Sequence, residues 1–351
     1  MAEPRTWRDR AIVQLTLARY REFYREPEAM FWTFVFPLIM AAGLGLAFRN
    51  KPPEVLKVGV IRSEAAPQVL EGLKRDRQLD VRLLDDSSGA QQLRTGKVAL
   101  LVVATTPTTV EYRFDDTRPE AITARRMVDD ALQRANGRAD PVAVAESFVR
   151  ERGSRYIDFL VPGLLGMNLM ASSMWGIGFT VVDQRRKKLL KRFVATPMSR
   201  AEYLLSFLLA RLTLLVFEVG AMVTFGVLVF GVPLRGSLIT LSAVCLLGSL
   251  AFGGLGLLIA ARPRTVEAAS GLMNFAMLPM WVLSGVFFSS ANFPDAMQPL
   301  IKALPLTAVN DSLRAIMLEG AGIGEIIRPL VTLSAWLVIC FTVALKIFRW
   351  K

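Results

Sequence analysis

The sequence contains no histidine and only two cysteines in 351 residues. A chain without histidine cannot build a Ser-His-Asp triad, a histidine metal site or a histidine proton relay. Cys245 and Cys340 both lie inside apolar segments, which excludes a disulfide framework and a Cys-ligated zinc site. We therefore expect no metal site and no catalytic residues in this chain.

Nucleotide and hydrolase motifs are also missing from the sequence. It has no GxxxxGK[ST] phosphate-binding loop, no HExxH and no GxSxG. The glycine-rich run at residues 253–256 lies inside an apolar segment, where it is typical of helix packing rather than of a phosphate cradle. Acidic pairs of the kind that can bind a cation weakly occur at Asp85-Asp86, Asp115-Asp116 and Asp129-Asp130. We expect these to be solvated surface residues, and we expect no cofactor site in this chain.

Long apolar runs and basic residues are what the sequence has in excess. Its hydrophobic content is 53%, its mean hydropathy is +0.40 and its formal net charge is +12. Apolar runs of about 20 residues recur, and each is long enough to cross a bilayer as a helix. The basic residues crowd at the ends of these runs, as in cytoplasmic loops, and no nucleic-acid-binding motif accompanies them. The predicted fold class is therefore an α-helical integral membrane protein.

The apolar runs predict six transmembrane helices, with both chain termini in the cytoplasm. They are placed at residues 29–48, 156–182, 203–232, 236–261, 265–288 and 329–347. Residues 289–325 are too apolar for a loop and too broken for a span. They predict a hairpin of two short helices, separated by Pro305, that dips into the outer leaflet. Its second helix carries Asp311 and Arg314 at a spacing that favours an ion pair.

Residues 1–28 alternate charged and apolar positions. They predict an amphipathic helix along the cytoplasmic surface, with Trp7 and Leu15 on its apolar face and Phe23 nearby. The segment is highly charged and no small-residue cleavage pattern follows the first apolar run, so we do not expect a cleaved signal peptide.

Residues 49–155 are less apolar and predict an inserted α/β domain. Four runs are typical of strands, VLKVGVI, DVRLLDD, VALLVVA and VEYRFDD. Helical patterns cover residues 87–97, 121–135 and 141–155. Long domains cross the membrane largely regardless of their charge. Because one predicted span separates this domain from the basic cytoplasmic segment that follows, we expect the domain to be extracytoplasmic.

The densest basic cluster is Asp183–Arg200, DQRRKKLLKRFVATPMSR. The side chains of Leu189, Leu190 and Phe193 interrupt its charges at helical spacing, so the segment predicts a short amphipathic helix that ends before Thr196-Pro197. Such a helix can dock on another protein, or it can serve only to orient the chain at the lipid surface. The residues alone leave both interpretations open.

Charged and methionine side chains inside the predicted spans are candidate functional residues. Arg211 and Glu218 are seven residues apart on one helix face, and intramembrane charges usually face the interior of a bundle. They fit a structural pair bridged through a neighbour as well as a transport pathway. Methionine rows with an asparagine nearby occur twice: Met167, Met170 and Met174 with Asn168, and Met273, Met277 and Met280 with Asn274. The rows fit core filling as well as an adaptable binding surface.

Two segments resemble those of a known family. The first is Leu190–Leu205, LKRFVATPMSRAEYLL, and the second is Leu283–Phe288, LSGVFF, followed by Phe293-Pro294 and by LPLTA at Leu304–Ala308. In this order they resemble the membrane subunits of ABC exporters of the type 2 permease class. The large domain between the first two spans is similar to one subgroup of that class. One departure is Gln184–Lys188, which is nearly all basic where the family usually has Glu and Gly.

The resemblance implies a half-transporter. Two such chains, identical or paralogous, would pair, and separate ATPase subunits would carry the ATP and Mg. Residues 183–200 would be a coupling helix seated on the ATPase, and residues 1–28 a connecting helix beside it. The coupling contacts would be made by Lys188, Leu189, Leu190, Arg192, Phe193, Thr196 and Pro197. Spans one, two and five would line the exit path, in a bacterial cytoplasmic (inner) membrane.

The methionine rows and the lack of a charged conduit suggest a hydrophobic or amphiphilic substrate, such as a drug, a lipid or a glycan-like molecule. A membrane receptor whose outer domain binds a ligand is the main alternative. It would require a cytoplasmic signalling domain, and no inside segment exceeds about 30 residues, close to the length of a single interfacial helix. A secondary transporter would show inverted repeats, which we do not find.

We predict that replacing Leu189, Leu190 and Phe193 together with serine abolishes association with the ATPase, because the apolar edge of the coupling helix is lost. Membrane insertion should be unaffected, since the spans are unchanged. Co-purification and membrane fractionation measure the two properties. A triple variant that still co-purifies with full ATPase activity would show that the coupling-helix prediction is wrong.

Overall fold

The computed structural model describes residues 11–49, 55–106, 109–139, 153–187, 200–263 and 265–347. The chain divides into two compact units, a helical unit and an inserted unit between Asn50 and Phe148. The described residues contain six helices long and apolar enough to cross a membrane. This agrees with the number of spans predicted from the sequence.

The spanning helices follow the predicted runs, with changes at their ends. The helices after the first are α7 (Tyr156–Arg186), α8 (Arg200–Phe230), α9 (Leu238–Ala260), α10 (Val266–Leu283) and α13 (Ile327–Ile347). The predicted end of the fifth span at residue 288 is wrong, since α10 ends at Leu283. Gly285 follows with a φ of +71°, a left-handed conformation that reverses the chain and that glycine adopts without strain.

The first spanning segment, Pro27–Ala47, changes its helical geometry along its length. It consists of α2 (Pro27–Met30), a π-helical turn (Phe31–Val35) and α3 (Phe36–Arg49). The amphipathic helix α1 (Ala11–Tyr24) precedes it. Pro37, just inside α3, has no backbone N–H to donate to the carbonyl of Thr33. An unusual turn next to this proline is a common way for a helix to accommodate the missing bond.

Helix α7 is the centre of the helical unit. Of its most apolar stretch 83% is buried, against 17% for the first and last spans. It contacts α3, α8, α9, α10 and the segment that follows α10. Small residues permit these close approaches: a Cβ added at Gly163 would lie 2.5 Å from the Val286 carbonyl oxygen, and one at Gly166 would overlap the side chain of Asn310.

The segment after α10 folds as the predicted hairpin of short helices. Two 3₁₀ turns (Ser290–Asn292 and Asp295–Met297) lead to α11 (Gln298–Ala303), and Pro305 begins α12 (Pro305–Arg314), which continues as a π-helical turn (Ala315–Glu319). The Asn310 amide donates to the Ser284 carbonyl at 2.8 Å, and the Trp336 indole donates to the Ala303 carbonyl at 2.8 Å. The hairpin is thereby held to the ends of its neighbours.

Arg314 is the main anchor of the hairpin, although its predicted partner was Asp311. The two side chains are 4.0 Å apart, at the limit of an ion pair. The guanidinium instead donates to the carbonyls of Phe159 and Gly285, and it lies 3.6 Å from the centroid of the Phe159 ring. A buried arginine prefers such contacts because they satisfy its N–H groups and its charge together.

The inserted unit is a four-stranded sheet in the order β2-β1-β3-β4. The strands are β1 (Leu56–Ile61), β2 (Leu79–Leu84), β3 (Leu100–Thr106) and β4 (Thr109–Arg113), and β4 is antiparallel to β3. They correspond to the four strand runs found in the sequence, with changes at their ends. Helices α4 (Ala66–Lys74) and α6 (Pro119–Ala135) bury one face, and α5 (Asp86–Arg94) packs on the other. The sequence analysis missed α4. Most of the predicted helix at 141–155 lies outside the described residues.

We predict that Gly163→Ala destabilises the helical unit. Its Cβ would meet the Val286 backbone, which cannot move without disturbing the hairpin, and overpacking of this kind costs about 1–3 kcal/mol. Gly176→Ala on the same helix is the matched control, because its Cβ would meet nothing within 4 Å. Thermal unfolding of the purified chain in detergent should show a lower Tm for the first variant only. Equal Tm values would refute the packing assignment.

Candidate functional site

The two charges predicted to share a face of the third span form a direct ion pair. Arg211 Nη1 lies 3.2 Å from Glu218 Oε2, and the Glu218 residue is 2% exposed. The spacing of seven residues corresponds to two turns of α8, which stacks the side chains along one face. The structural pair weighed in the sequence analysis is therefore present as a direct contact, and the Ser172 hydroxyl also lies within hydrogen-bond distance of both side chains.

Glu218 is also bound by side chains of the central helix α7. Its Oε1 accepts a hydrogen bond from Asn168 Nδ2 at 2.8 Å. The Ser172 hydroxyl lies 2.7 Å from the same oxygen, and it can donate there or to the Asn168 carbonyl of its own helix at 2.8 Å. Both carboxylate oxygens thus have partners, as a buried charge requires.

Arg211 spreads its N–H groups over two other helices. Nη2 donates to the hydroxyls of Ser172 and Ser173 at 2.9 and 2.7 Å, and Nε donates to the Ser249 hydroxyl of α9 at 3.1 Å. The Ser173 and Ser249 hydroxyls are 2.9 Å apart. These three helices are therefore joined by polar contacts at one level of the bundle.

The first spanning segment is joined to the same network through its proline. The second N–H of the Asn168 amide donates to the Thr33 carbonyl at 3.2 Å. Pro37 cannot donate to this carbonyl, so the acceptor is available to a neighbouring helix. We call the set of Arg211, Glu218, Asn168, Ser172, Ser173, Ser249 and the Thr33 carbonyl the polar network.

The polar network was only partly visible in the sequence. Charged residues such as Arg211 and Glu218 are easily recognised in an apolar run, and Asn168 was named as a candidate substrate contact. The serines carry no such signal, because a hydroxyl inside a span often bonds to its own helix. Only the packing of α7, α8 and α9 shows which serines face Arg211, and Ser249 was not singled out at all.

The methionine rows occupy the core. Met167, Met170, Met174, Met273 and Met277 are all buried. The Met273 side chain reaches α7, because its Cε would overlap a Cβ added at Gly178. Asn274 is on the other side of α10 and is exposed together with Phe275 and Leu278. The two halves of the predicted substrate surface therefore face in different directions, and its role in transport stays a prediction.

All seven predicted coupling residues lie outside the described residues, as does Trp7 of the connecting helix: Lys188, Leu189, Leu190, Arg192, Phe193, Thr196 and Pro197. Leu15 and Phe23 are half-buried on α1, which packs against α8, and the Phe23 ring contacts the Phe34 ring at 6.2 Å.

Helix α7 continues through Arg186, four residues beyond the predicted end of the second span at residue 182. Arg186 and Lys187 pair with Asp183 at 3.7 and 2.7 Å. Arg185 Nη1 donates to the carbonyls of Ala260, Ala261 and Pro263 at 3.1, 3.4 and 3.2 Å. Carbonyls at a helix end attract a cation, so this basic residue also fixes the end of α9.

The acidic pairs of the inserted unit contact basic and hydroxyl groups. Arg62 pairs with Asp85 at 3.2 Å and Arg113 with Asp86 at 3.1 Å. Asp129 accepts from the Tyr112 hydroxyl at 3.2 Å, and burial together with this carboxylate raises the pKa of Tyr112 to about 12. The search of the described residues finds no group of three or more His, Cys, Asp or Glu arranged to hold a metal ion.

Comparison with known proteins gives a family match. A family model described as "ABC-2 family transporter protein" matches residues 28–346. The chain is 24% identical over 352 aligned residues to "Probable multidrug ABC transporter permease YbhS" of Escherichia coli K12, covering 89% of each chain. It is 28% identical over 187 residues to "Linearmycin resistance permease protein LnrN" of Bacillus subtilis, covering 50% of this chain and 46% of that protein.

A further relative is a longer protein. The chain is 26% identical over 219 residues to "ABC transporter G family member 20" of Dictyostelium discoideum. The match covers 61% of this chain but only 30% of the length of that protein.

We predict that removing either charge of the polar network destabilises the helical unit by about 3–5 kcal/mol, since the other charge is left buried without its partner. Arg211→Met and Glu218→Gln should each lower the Tm strongly, and the double variant should cost less than the sum of the two. Arg328→Met, at an exposed arginine on α13, is the control and should have little effect. Additive losses in the double variant would contradict a coupled pair.

Proposed function

The chain belongs to the ABC-2 transporter family, and on that premise we propose that it is the permease subunit of an ATP-driven exporter whose ATP is hydrolysed by a separate subunit. The observation that carries the proposal is the family match from residue 28 to 346, which extends across all six candidate spans. The sequence has no phosphate-binding loop, which fits a chain that depends on another subunit for hydrolysis.

The ends of the helices support an orientation for this permease. The carboxyl end of α3 lies beside the amino end of α7 and the carboxyl end of α8, since a Cβ on Gly45 would lie 2.9 Å from Ile157 Cδ1 and 2.6 Å from the Phe230 ring. The hairpin is anchored at the same end, through Phe159. Arg185, Arg186 and Lys187 lie at the opposite end of α7.

We assign the basic end to the cytoplasm, because lysine and arginine are retained on that side. Both chain termini, the connecting helix α1 and the predicted coupling residues are then cytoplasmic, where an ATPase can bind them. The inserted unit is connected to the chain between Arg49 and Gly153, at the ends of α3 and α7 away from the basic residues. This supports an extracytoplasmic position for the inserted unit, as in the subgroup of the family that has a large domain between the first two spans.

Helix α10 presents a face that suits a second permease or a substrate. Gly271, Leu272, Asn274, Phe275 and Leu278 are exposed along it. Pro279 has no N–H to donate to the Phe275 carbonyl. This face therefore carries the Asn274 amide and a backbone carbonyl that lacks its usual helical donor. Polar groups of this kind are costly against lipid. The proposed permease is a dimer, of two identical or paralogous chains, with this face turned toward the partner and the exit path.

The substrate class follows from the same face and from the relatives. An apolar face with one amide and one carbonyl suits a hydrophobic or amphiphilic molecule better than a small ion. The printed names of the E. coli and B. subtilis relatives refer to multidrug transport and to linearmycin resistance. A drug, lipid or glycan-like amphiphile exported across a bacterial inner membrane is the class that we assign.

The test is purification of the tagged chain from its native membrane in a mild detergent, followed by identification of bound proteins and assay of ATP hydrolysis. We expect an ATPase with a phosphate-binding loop in equal amount, and stimulation of hydrolysis by amphiphilic compounds. Stimulation by small ions alone would refute the substrate class. A preparation without any ATPase would refute the function and favour a ligand-binding receptor, with the inserted unit as its binding domain.

A further inference from the structure

The start of α7 is built around a buried carboxylate. Asp158 is 0% exposed. Its Oδ2 accepts from the backbone N–H groups of Gly153 and Arg155 at 2.8 and 3.1 Å and from Arg155 Nε at 2.9 Å, while Oδ1 accepts from Arg155 Nη2 at 2.7 Å. This two-point contact fixes the plane of the guanidinium as well as its position.

The same guanidinium also binds the end of α8. Arg155 Nη2 donates to the carbonyls of Phe230 and Gly231 at 2.9 and 3.2 Å. Gly231 has a φ of +63° and terminates the helix in the left-handed conformation. A cation is favourable at this position, since the last carbonyls of a helix carry partial negative charge. Arg155 thus joins the amino end of α7 to the carboxyl end of α8.

The polar network joins the same two helices at a second level. Asn168 and Ser172 of α7 bind Glu218 of α8. Asp158 and Asn168 are ten residues apart, which is about 15 Å along a helix at 1.5 Å per residue. Two polar connections at this separation fix the crossing angle of the antiparallel helices as well as their distance.

The structure assigns Arg155 as a positioning residue that makes α7 and α8 one rigid pair. Helix α9 is joined to this pair through Ser249 and Arg185, so the movements of transport occur between these helices and the first span and α10. The part of this inference that concerns movements during transport rests on the proposed function. The first span and α10 are bound to α7 by weaker contacts than those that join α7 to α8. In the described part of the chain, the first span is bound to the polar network through the Asn168–Thr33 hydrogen bond, and α10 packs on α7 through apolar contacts such as Met273 against Gly178. Apolar contacts and one hydrogen bond can slide or exchange at much lower cost than a buried charge network.

The first experiment is hydrogen exchange on the full chain in lipid nanodiscs, which needs no ATPase. In Arg155→Gln the last turn of α8, around residues 226–232, should exchange at least about tenfold faster, because hydrogen bonds from a charged group are lost there. The exchange rates of the α8 amides around Glu218 should be unchanged. Arg155→Lys should restore part of the protection, since it keeps the charge but not the planar fork. Arg328→Gln is the control.

A covalent link provides the second experiment. A Cβ on Gly226 would lie 3.8 Å from Val161 Cβ, a separation typical of disulfides. The oxidised Val161→Cys/Gly226→Cys chain should keep the ATP hydrolysis of the wild-type complex, and the link should reverse the faster exchange of Arg155→Gln. In a Gly178→Cys/Met273→Cys chain, a short bifunctional thiol reagent that spans the space of the Met273 side chain should link α7 to α10 and block hydrolysis.

Loss of hydrolysis on linking α7 to α8 would overturn the rigid pair. Unchanged exchange in Arg155→Gln, or faster exchange that the disulfide does not reverse, would overturn the role of Arg155. If the wild-type chain binds no ATPase, the proposed function fails instead, and the exchange experiment alone decides whether Arg155 holds the two helices together.

Discussion

A buried ion pair is the constraint around which the helical unit is organised. The side chains of Arg211 and Glu218 are largely buried within a candidate span, so their N–H groups and oxygens need protein partners. Those partners are Asn168, Ser172 and Ser173 of α7 and Ser249 of α9. A charge pair on one helix thereby determines which faces of two other helices must be turned inward. The central position of α7 follows from the same requirement, because it supplies most of these groups.

Arginines that bind carbonyls at the ends of helices form a second common feature. Arg185 binds the end of α9, Arg155 binds the end of α8, and Arg314 binds carbonyls at Phe159 and Gly285. Arg185 and Arg155 bind the negative end of a helix, whereas Arg314 binds a carbonyl at the Gly285 turn and one in the first turn of α7. The charges near span ends therefore hold neighbouring segments together, in addition to orienting the chain. Part of the high positive charge of the sequence has this structural use.

The sequence predicted what depends on long patterns and missed what depends on packing. Six apolar runs and four strand patterns were found, because each extends over enough residues to fix its period. The end of α10 was misplaced, since Leu283–Phe288 stays apolar although Gly285 turns the chain. The nine-residue α4 was missed because it is short and has no capping side chain. The partners of Arg211 could not be predicted, since only the packed helices show which hydroxyls face it.

The first span contributes a constraint of another kind. A proline at position 37 leaves the Thr33 carbonyl without its usual donor, and the amide at position 168 occupies it. Any residue other than proline at position 37 would bring its own N–H to that carbonyl and compete with the amide. An aliphatic residue at position 168 would leave the carbonyl unsatisfied unless the proline were replaced as well. Positions 37 and 168, far apart in the chain, are therefore coupled in their substitutions, and related sequences should change them together.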